Sequence, residues 1–283
     1  IMNAAHGGQI LVSQTAVDLI GDRVPGEIAL RDLGLVRLRD LAHPERLYQV
    51  VHPTLRQSFP PLRSLEATPN NLPQQVTSFV GRERESTELK DLLARSRLVT
   101  LVGTGGLGKT RLSLQVAASV IDDYSDGVWF VELAATSDPR LVPQVVASVL
   151  GVTETAGQRV DDALVAHVGE RHLLIILDNC EHLAGACALL AKQLLQSSNT
   201  LKILATSREP LNVGGESTYA LPALALPGDA AQQVTPATLL QSEAARLFVE
   251  RAVAVHAPFA VTPANAPAVA TICRRLDGIP LAL

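Results

Sequence analysis

The stretch that decides the fold is Leu98-Val99-Thr100-Leu101-Val102 running straight into Gly103-Thr104-Gly105-Gly106-Leu107-Gly108-Lys109-Thr110, with Arg111 behind it. Gly103, Gly108, Lys109 and Thr110 meet the pattern G-x-x-x-x-G-K-[ST] at every fixed position. A short apolar strand enters the loop, and a helical pattern from Lys109 to Ile121 leaves it. Glycines let such a backbone curl around phosphates with its N–H groups turned inward. The helix N-terminus adds a partial positive charge. Lys109 is placed to reach the β and γ phosphates of a nucleoside triphosphate, and the Thr110 hydroxyl to bind Mg²⁺. Gly103 to Arg111 is therefore the candidate cofactor-binding loop, with ATP or ADP and Mg²⁺ as the expected cofactors.

Outward from the loop, strands and helices alternate. Helical patterns cover 84–95, 139–150, 161–170 and 184–196, and strand patterns cover 128–133, 173–177 and 202–206. Continuous apolar strands separated by helices indicate an α/β fold, a parallel sheet covered on both faces. From about Gln241 the pattern turns all-helical, with helices expected over 243–255 and 264–276, the second closing at Asp277-Gly278. Toward the N-terminus, Pro53, Pro60, Pro61, Pro69 and Pro73 mark a linker. Residues 1–52 read as a separate unit with a short helix over 16–20, two strand-like stretches around Gly34 between 30 and 41, and a strand over 46–51. So small a set of large apolar groups makes a poor independent core. Ile1 and Leu283 both look like cut ends, so the chain is expected to be part of a longer protein.

Two further strand ends carry candidate chemistry. Leu173 to Leu177 ends in Asp178, the kind of carboxylate that a phosphate loop needs to hold Mg²⁺; alone, such an Asp equally often caps the next turn. The next residue is Asn179, and an amide is a poor base for activating water. Glu181 takes that role or caps the helix beginning near Ala184. Slow hydrolysis, or none, is expected. The strand over 202–206 leads to Ser207-Arg208. If it neighbours the loop's own strand, Thr206, Ser207 and Arg208 lie beside the phosphates and Arg208 can sense the γ phosphate; otherwise Arg208 is a surface loop residue.

Composition narrows the rest. The chain has 283 residues, a formal net charge of −4 and 47% hydrophobic residues. The slight acidity argues against broad nucleic-acid binding by these residues, so DNA is expected only through a domain outside them. Apolar runs are too short to span a bilayer, and no membrane partner is expected. Cys180, Cys187 and Cys273 show no C-x-x-C spacing, which fits a reducing, cytoplasmic setting.

Five motifs then stand in order: Phe79-Val80-Gly81-Arg82-Glu83, the glycine loop, Leu177-Asp178-Asn179-Cys180-Glu181-His182, Ala205-Thr206-Ser207-Arg208-Glu209-Pro210, and Leu276-Asp277-Gly278-Ile279-Pro280-Leu281-Ala282. Together they resemble the NB-ARC-like STAND class of signalling P-loop NTPases, over residues 76–283. The nearest type carries an adenylate or guanylate cyclase domain ahead of the ATPase. The resemblance implies a five-stranded parallel sheet with flanking helices over 76–240 and the start of a helical domain over 241–283. It implies that Val80, Gly81 and Arg82 contact the adenine side of the nucleotide, that Pro280 packs on adenine, and that Arg208 is the first sensor. ADP would lock a closed state, and ATP would permit opening and self-assembly. A second resemblance covers Ala5 to Ser13, Asp32-Leu33-Gly34 and Leu47 to Val50, which look like the C-terminal end of an α+β class III nucleotide cyclase domain. That family's metal-binding aspartates lie upstream, and Asn3 does not match its catalytic asparagine. No cyclase activity is expected here, and residues 53–75 would link the two domains.

Three functions follow from these readings. The first is an ATP/ADP-binding signalling switch that regulates an attached effector. The second is the regulatory ATPase part of a cyclase. The third is the ATPase part of a transcriptional regulator whose DNA-binding domain lies elsewhere.

Overall fold

The computed structural model describes residues 1, 4–20, 26–36, 38, 45–60, 62, 68–75, 77–153, 159–228 and 234–283. Asn3, Pro61 and most of the strand pattern expected after Val36 lie outside the described residues. Among the described residues no helix is long and apolar enough to cross a membrane.

The centre is a five-stranded, wholly parallel sheet with flanking helices, the P-loop type of sheet. Its strands are β4 (Leu98–Val102), β5 (Gly127–Glu132), β6 (Leu173–Asp178), β7 (Lys202–Ser207) and β8 (Glu216–Ala220), in the spatial order β5-β6-β7-β4-β8. β7 therefore lies between the strand that feeds the glycine loop and the strand that ends in Asp178. The register pairs Val102 with Ser207, so both strands end level.

Period-two alternation splits the sheet's side chains between two cores. Leu173, Ile175, Leu177, Ile203 and Ala205 face one core, covered by α4 (Val142–Leu150), α5 (Val160–Val168) and α6 (Ala184–Ser197). Leu174, Ile176, Leu204, Val99 and Leu101 face the other, covered by α2 (Glu83–Arg95) and α3 (Lys109–Ser119). All six residues of β6 are buried, which explains its unbroken apolar run.

The structure differs from the sequence reading in four places. β8, Glu-Ser-Thr-Tyr-Ala, is too polar to stand out as a strand; among the described residues it is an edge strand paired with β4 alone, and it is half buried. The helix after the glycine loop stops at Ser119, and Ile121–Asp123 form a separate 3₁₀ turn. The Pro-rich stretch does more at its end than connect: Pro69 O accepts from Val128 N, Asn71 Oδ1 from Phe130 N, and Asn71 Nδ2 donates to Phe130 O, so these residues extend the sheet beside β5. In the N-terminal unit, β1 (Leu11–Ser13), β2 (Ala29–Val36) and β3 (Glu45–Val51) make an antiparallel sheet of order β1-β3-β2, beside α1 (Gln14–Ile20). The two stretches expected around Gly34 are one strand with a register shift between Asp32 and Leu35. Its small core gathers Ala4, Val36, Leu38 and Leu47.

After β8, a four-residue helix α7 (Pro236–Leu239), α8 (Glu243–Val255) and α9 (Ala266–Arg275) build a third core around Leu239, Ala245, Leu247, Val269 and Cys273. Val80 packs against this cluster, which ties the segment before α2 to the helices that follow the sheet.

Ile175 is fully buried in the middle of β6. Ile175→Ala is expected to lower unfolding stability by about 2–5 kcal/mol, measured by urea denaturation. A loss below ~1 kcal/mol would contradict this packing.

Candidate functional site

Parallel strands end on the same side, so the loops that follow β4, β6 and β7 gather at one edge of the sheet. α3 begins at Lys109 behind Gly108, whose φ of 87° is a left-handed conformation that glycine adopts without a side-chain clash. Gly106 is also left-handed, at φ 82°, and a Cβ there would lie 2.9 Å from Leu281 Cβ. Leu281 N donates to Gly106 O at 3.1 Å, so the segment after α9 rests directly on the loop.

Asp178 closes β6 and is 5% exposed. Thr110 Oγ1 donates to its two oxygens at 2.8 and 3.0 Å. Thr206 Oγ1, from β7 between them, donates to Oδ1 at 2.6 Å and accepts from Asn179 N at 2.9 Å. The two residues expected to share Mg²⁺ are thus in direct contact, and Thr206 holds the carboxylate from the side. A hydroxyl and a carboxylate form the hard oxygen set that Mg²⁺ takes, together with phosphate oxygens and water. The residues fit such an ion.

Asn179 has a second reason to be an amide. It sits at φ 66°, ψ 50°, the left-handed turn into the 3₁₀ segment Cys180–Leu183, and Asn tolerates that conformation better than most residues. Glu181 lies within this turn and does not cap α6, which has no side-chain cap. Instead Glu181 Oε1 accepts from Arg208 Nε at 3.2 Å. Arg208 Nη2 stands 4.0 Å from the point where Gly105 would carry a Cβ, so the guanidinium overlies the loop. The condition for Arg208 to reach phosphates, that β7 neighbours β4, is met.

Lys109 Nζ donates to Gly103 O and Thr104 O, at 2.7 and 3.0 Å. Burial lowers the ammonium's pKa; Glu181 opposes this, Arg208 adds to it, and Asp178 opposes it. Reaching a bound phosphate means exchanging two neutral carbonyls for an anion, which strengthens the contact.

These groups line one cavity of about 380 Å³, within the range of small-molecule sites. Of the residues expected from sequence, Val80, Arg82, Gly105 to Arg111, Glu181, Arg208 and Pro280 line it. Gly81, Gly103, Thr104 and Asp178 are not on its wall; Asp178 lies behind Thr110. Two of the arginines on the wall also hold other segments in place. The Arg82 guanidinium is buried, donates to Pro222 O at 2.7 Å and Leu107 O at 3.4 Å, and pairs with Glu85, so it supports the loop from behind. Arg111 Nη2 donates to Thr77 O and Ser78 O, both at 2.8 Å, pinning that segment to α3. The sequence reading missed Leu247 and Arg251, which α8 contributes to the wall. Their one-turn spacing was visible, yet the same spacing marks any helix's packing face.

No protein-family model matches the chain. It is 43% identical over 195 residues to a Mycobacterium tuberculosis protein whose name proposes an HTH-type transcriptional regulator, covering 69% of this chain and 20% of the relative. It is 39% identical over 210 residues to an uncharacterized M. tuberculosis protein, covering 74% of this chain and 50% of that one. The chain thus spans between a fifth and a half of the length of these relatives. Among solved structures, a STAND protein with a tetratricopeptide-repeat sensor from Pyrococcus horikoshii covers 71% of this chain and 28% of its own at 16% identity and a TM-score of 0.42. A Walker-type ATPase of Pyrococcus abyssi covers 71% and 65% at 16% identity and a TM-score of 0.44.

Thr206→Val keeps the shape but removes both the donor to Asp178 and the acceptor for Asn179 N–H. It is expected to cost about 1–3 kcal/mol in urea denaturation, because buried polar groups lose their partners. An unchanged midpoint would contradict the network.

Proposed function

We propose that this chain is the nucleotide-binding regulatory module of a larger regulator. One observation carries the reading: Gly105 to Thr110 of a complete phosphate loop and the guanidinium over it line one cavity of ligand size, and Thr110 on its wall is bonded to the Asp178 carboxylate in a pair suited to Mg²⁺. ATP or ADP would lie with its phosphates along Gly105 to Thr110 and its base toward Val80 and Pro280. Mg²⁺, held by Thr110 with Asp178 behind it, would neutralise phosphate charge. Lys109 would turn from the loop carbonyls to the phosphates, and Arg208 would meet the terminal one.

The chain's own residues favour holding over turnover. Asn179, directly after the Asp178 carboxylate, is an amide that sets a turn, and one of the two Glu181 oxygens is held by Arg208. The cavity wall is shared between the sheet unit and the helices after β8, so a ligand can favour one arrangement of the two, which a switch requires. This supports the finer reading of a STAND or NB-ARC type of switch.

The named M. tuberculosis relative, of which the chain spans a fifth, supports placing this module in a transcriptional regulator. DNA contact would then come through another domain. No comparison supports the cyclase resemblance of residues 1–52.

Lys109→Ala is expected to weaken ADP and ATP binding by about tenfold to a hundredfold in titration calorimetry, since a charged phosphate contact is lost. Normal ATP binding by this variant would overturn the site. Asp178→Asn is expected to abolish the gain in ATP affinity that Mg²⁺ brings, read by titrating ATP with and without the ion. A full Mg²⁺ effect in the variant would remove Asp178 from the metal role.

A further inference from the structure

Glu243 is the first residue of α8, far along the chain from the phosphate loop. Its carboxylate leaves its own helix. Oε1 accepts from Arg82 N at 2.7 Å, and Oε2 accepts from Ala225 N at 3.1 Å. A carboxylate serving only the helix dipole would face its own N–H groups. Here Ser242 already does that, accepting from Ala245 N at 3.2 Å.

Gly81 is shaped around this contact. It stands at φ +71°, and a Cβ there would lie 2.5 Å from Glu243 Oε1. Two turns further along α8, Glu250 accepts from Ser78 Oγ. One helix thus grips residues 78–82 at both ends, and Leu247 and Arg251 line the cavity beside that segment. The strand-side anchor is equally built. Ser242 Oγ donates to Ala225 O at 2.7 Å, Leu224 N donates to Gly278 O at 3.0 Å, and a Cβ on Gly278 would lie 2.4 Å from Leu224 O.

We propose that Glu243 is a positioning residue for the base side of the nucleotide site. It locks residues 80–82 to α8, so the wall that meets the base moves with the helical unit. Its carboxylate bonds to the N–H groups of Arg82 and Ala225, neither of which belongs to the phosphate loop; the loop is reached from this segment by the Arg82 guanidinium, at Leu107 O. This rests on the nucleotide-binding reading above, and it predicts a selective defect: nucleoside binding suffers while phosphate binding does not.

The test is calorimetric titration of the wild-type chain, Glu243→Ala and Gly81→Ala with Mg²⁺–ADP and with Mg²⁺–tripolyphosphate. Loss of a hydrogen-bonded carboxylate is expected to weaken ADP binding about tenfold while tripolyphosphate stays within about twofold. Gly81→Ala, which displaces the carboxylate, is expected to show the same selective loss. The double variant is expected to lose less than the sum, because both changes break one contact. Unchanged ADP affinity in Glu243→Ala overturns the proposal. So does an equal loss for both probes, which would make Glu243 a support of the whole site. If Glu243→Ala does not fold, Glu243→Gln, which keeps one acceptor and loses the other, carries the same comparison with a smaller loss. Failure of the wild-type chain to bind either probe overturns the nucleotide reading and this proposal with it; binding by the wild type with no change in the variants overturns this proposal alone.

Discussion

The site depends on one carboxylate. Asp178 is nearly buried at the end of β6, and such a group is costly unless its oxygens are hydrogen-bonded. Thr110 and Thr206 supply those bonds from two other elements. Because β7 separates β6 from β4, Thr206 is the bridge that lets a carboxylate two strands away sit against the phosphate loop. The level ends of β4 and β7 set that distance, and the all-parallel sheet sets the direction.

Around this centre, several charged residues hold structure before they hold any ligand. Arg82 ties the loop to Pro222, Arg111 ties α3 to residues 77–78, and Arg208 pairs with Glu181. Lys109 leans on carbonyls of its own loop. Each cation is kept in place by hydrogen bonds, so the cavity's shape does not rely on side chains waiting free in solvent. Lys109 and Arg208 both stand over the loop, one on its carbonyls and one beside Gly105.

The contacts that join the helices after β8 to the sheet unit include Val80 in their core, Leu281 on Gly106, and Glu243 on Arg82 N. Each of these involves a residue of the cavity wall: Val80, Leu281 with Gly106, and Arg82. A ligand there meets both units, and the contacts that would resist their separation are short-range and local.

The sequence by itself determined much of this. The glycine loop, its flanking strand and helix, and the fully apolar β6 were legible because local pattern and chemistry agree there. Asp178 was readable as a candidate because a carboxylate after a buried strand needs a reason. β8 was not legible, since an edge strand is half solvated and need not be apolar. Nor were Leu247 and Arg251, because helical spacing shows which residues share a face and not what the face meets. Roles, too, needed the fold. Arg82 and Arg111 read as ligand contacts and do line the cavity, and only the fold shows that their guanidiniums also bond to carbonyls 140 and 34 residues away in the chain. Glu243 read as an ordinary helix start, and only the approach of Gly81 and Ala225 gives its carboxylate partners. Local sequence encodes the elements and the loop's chemistry; which groups remain for a ligand is decided by contacts between distant segments, and those form only when the chain is folded.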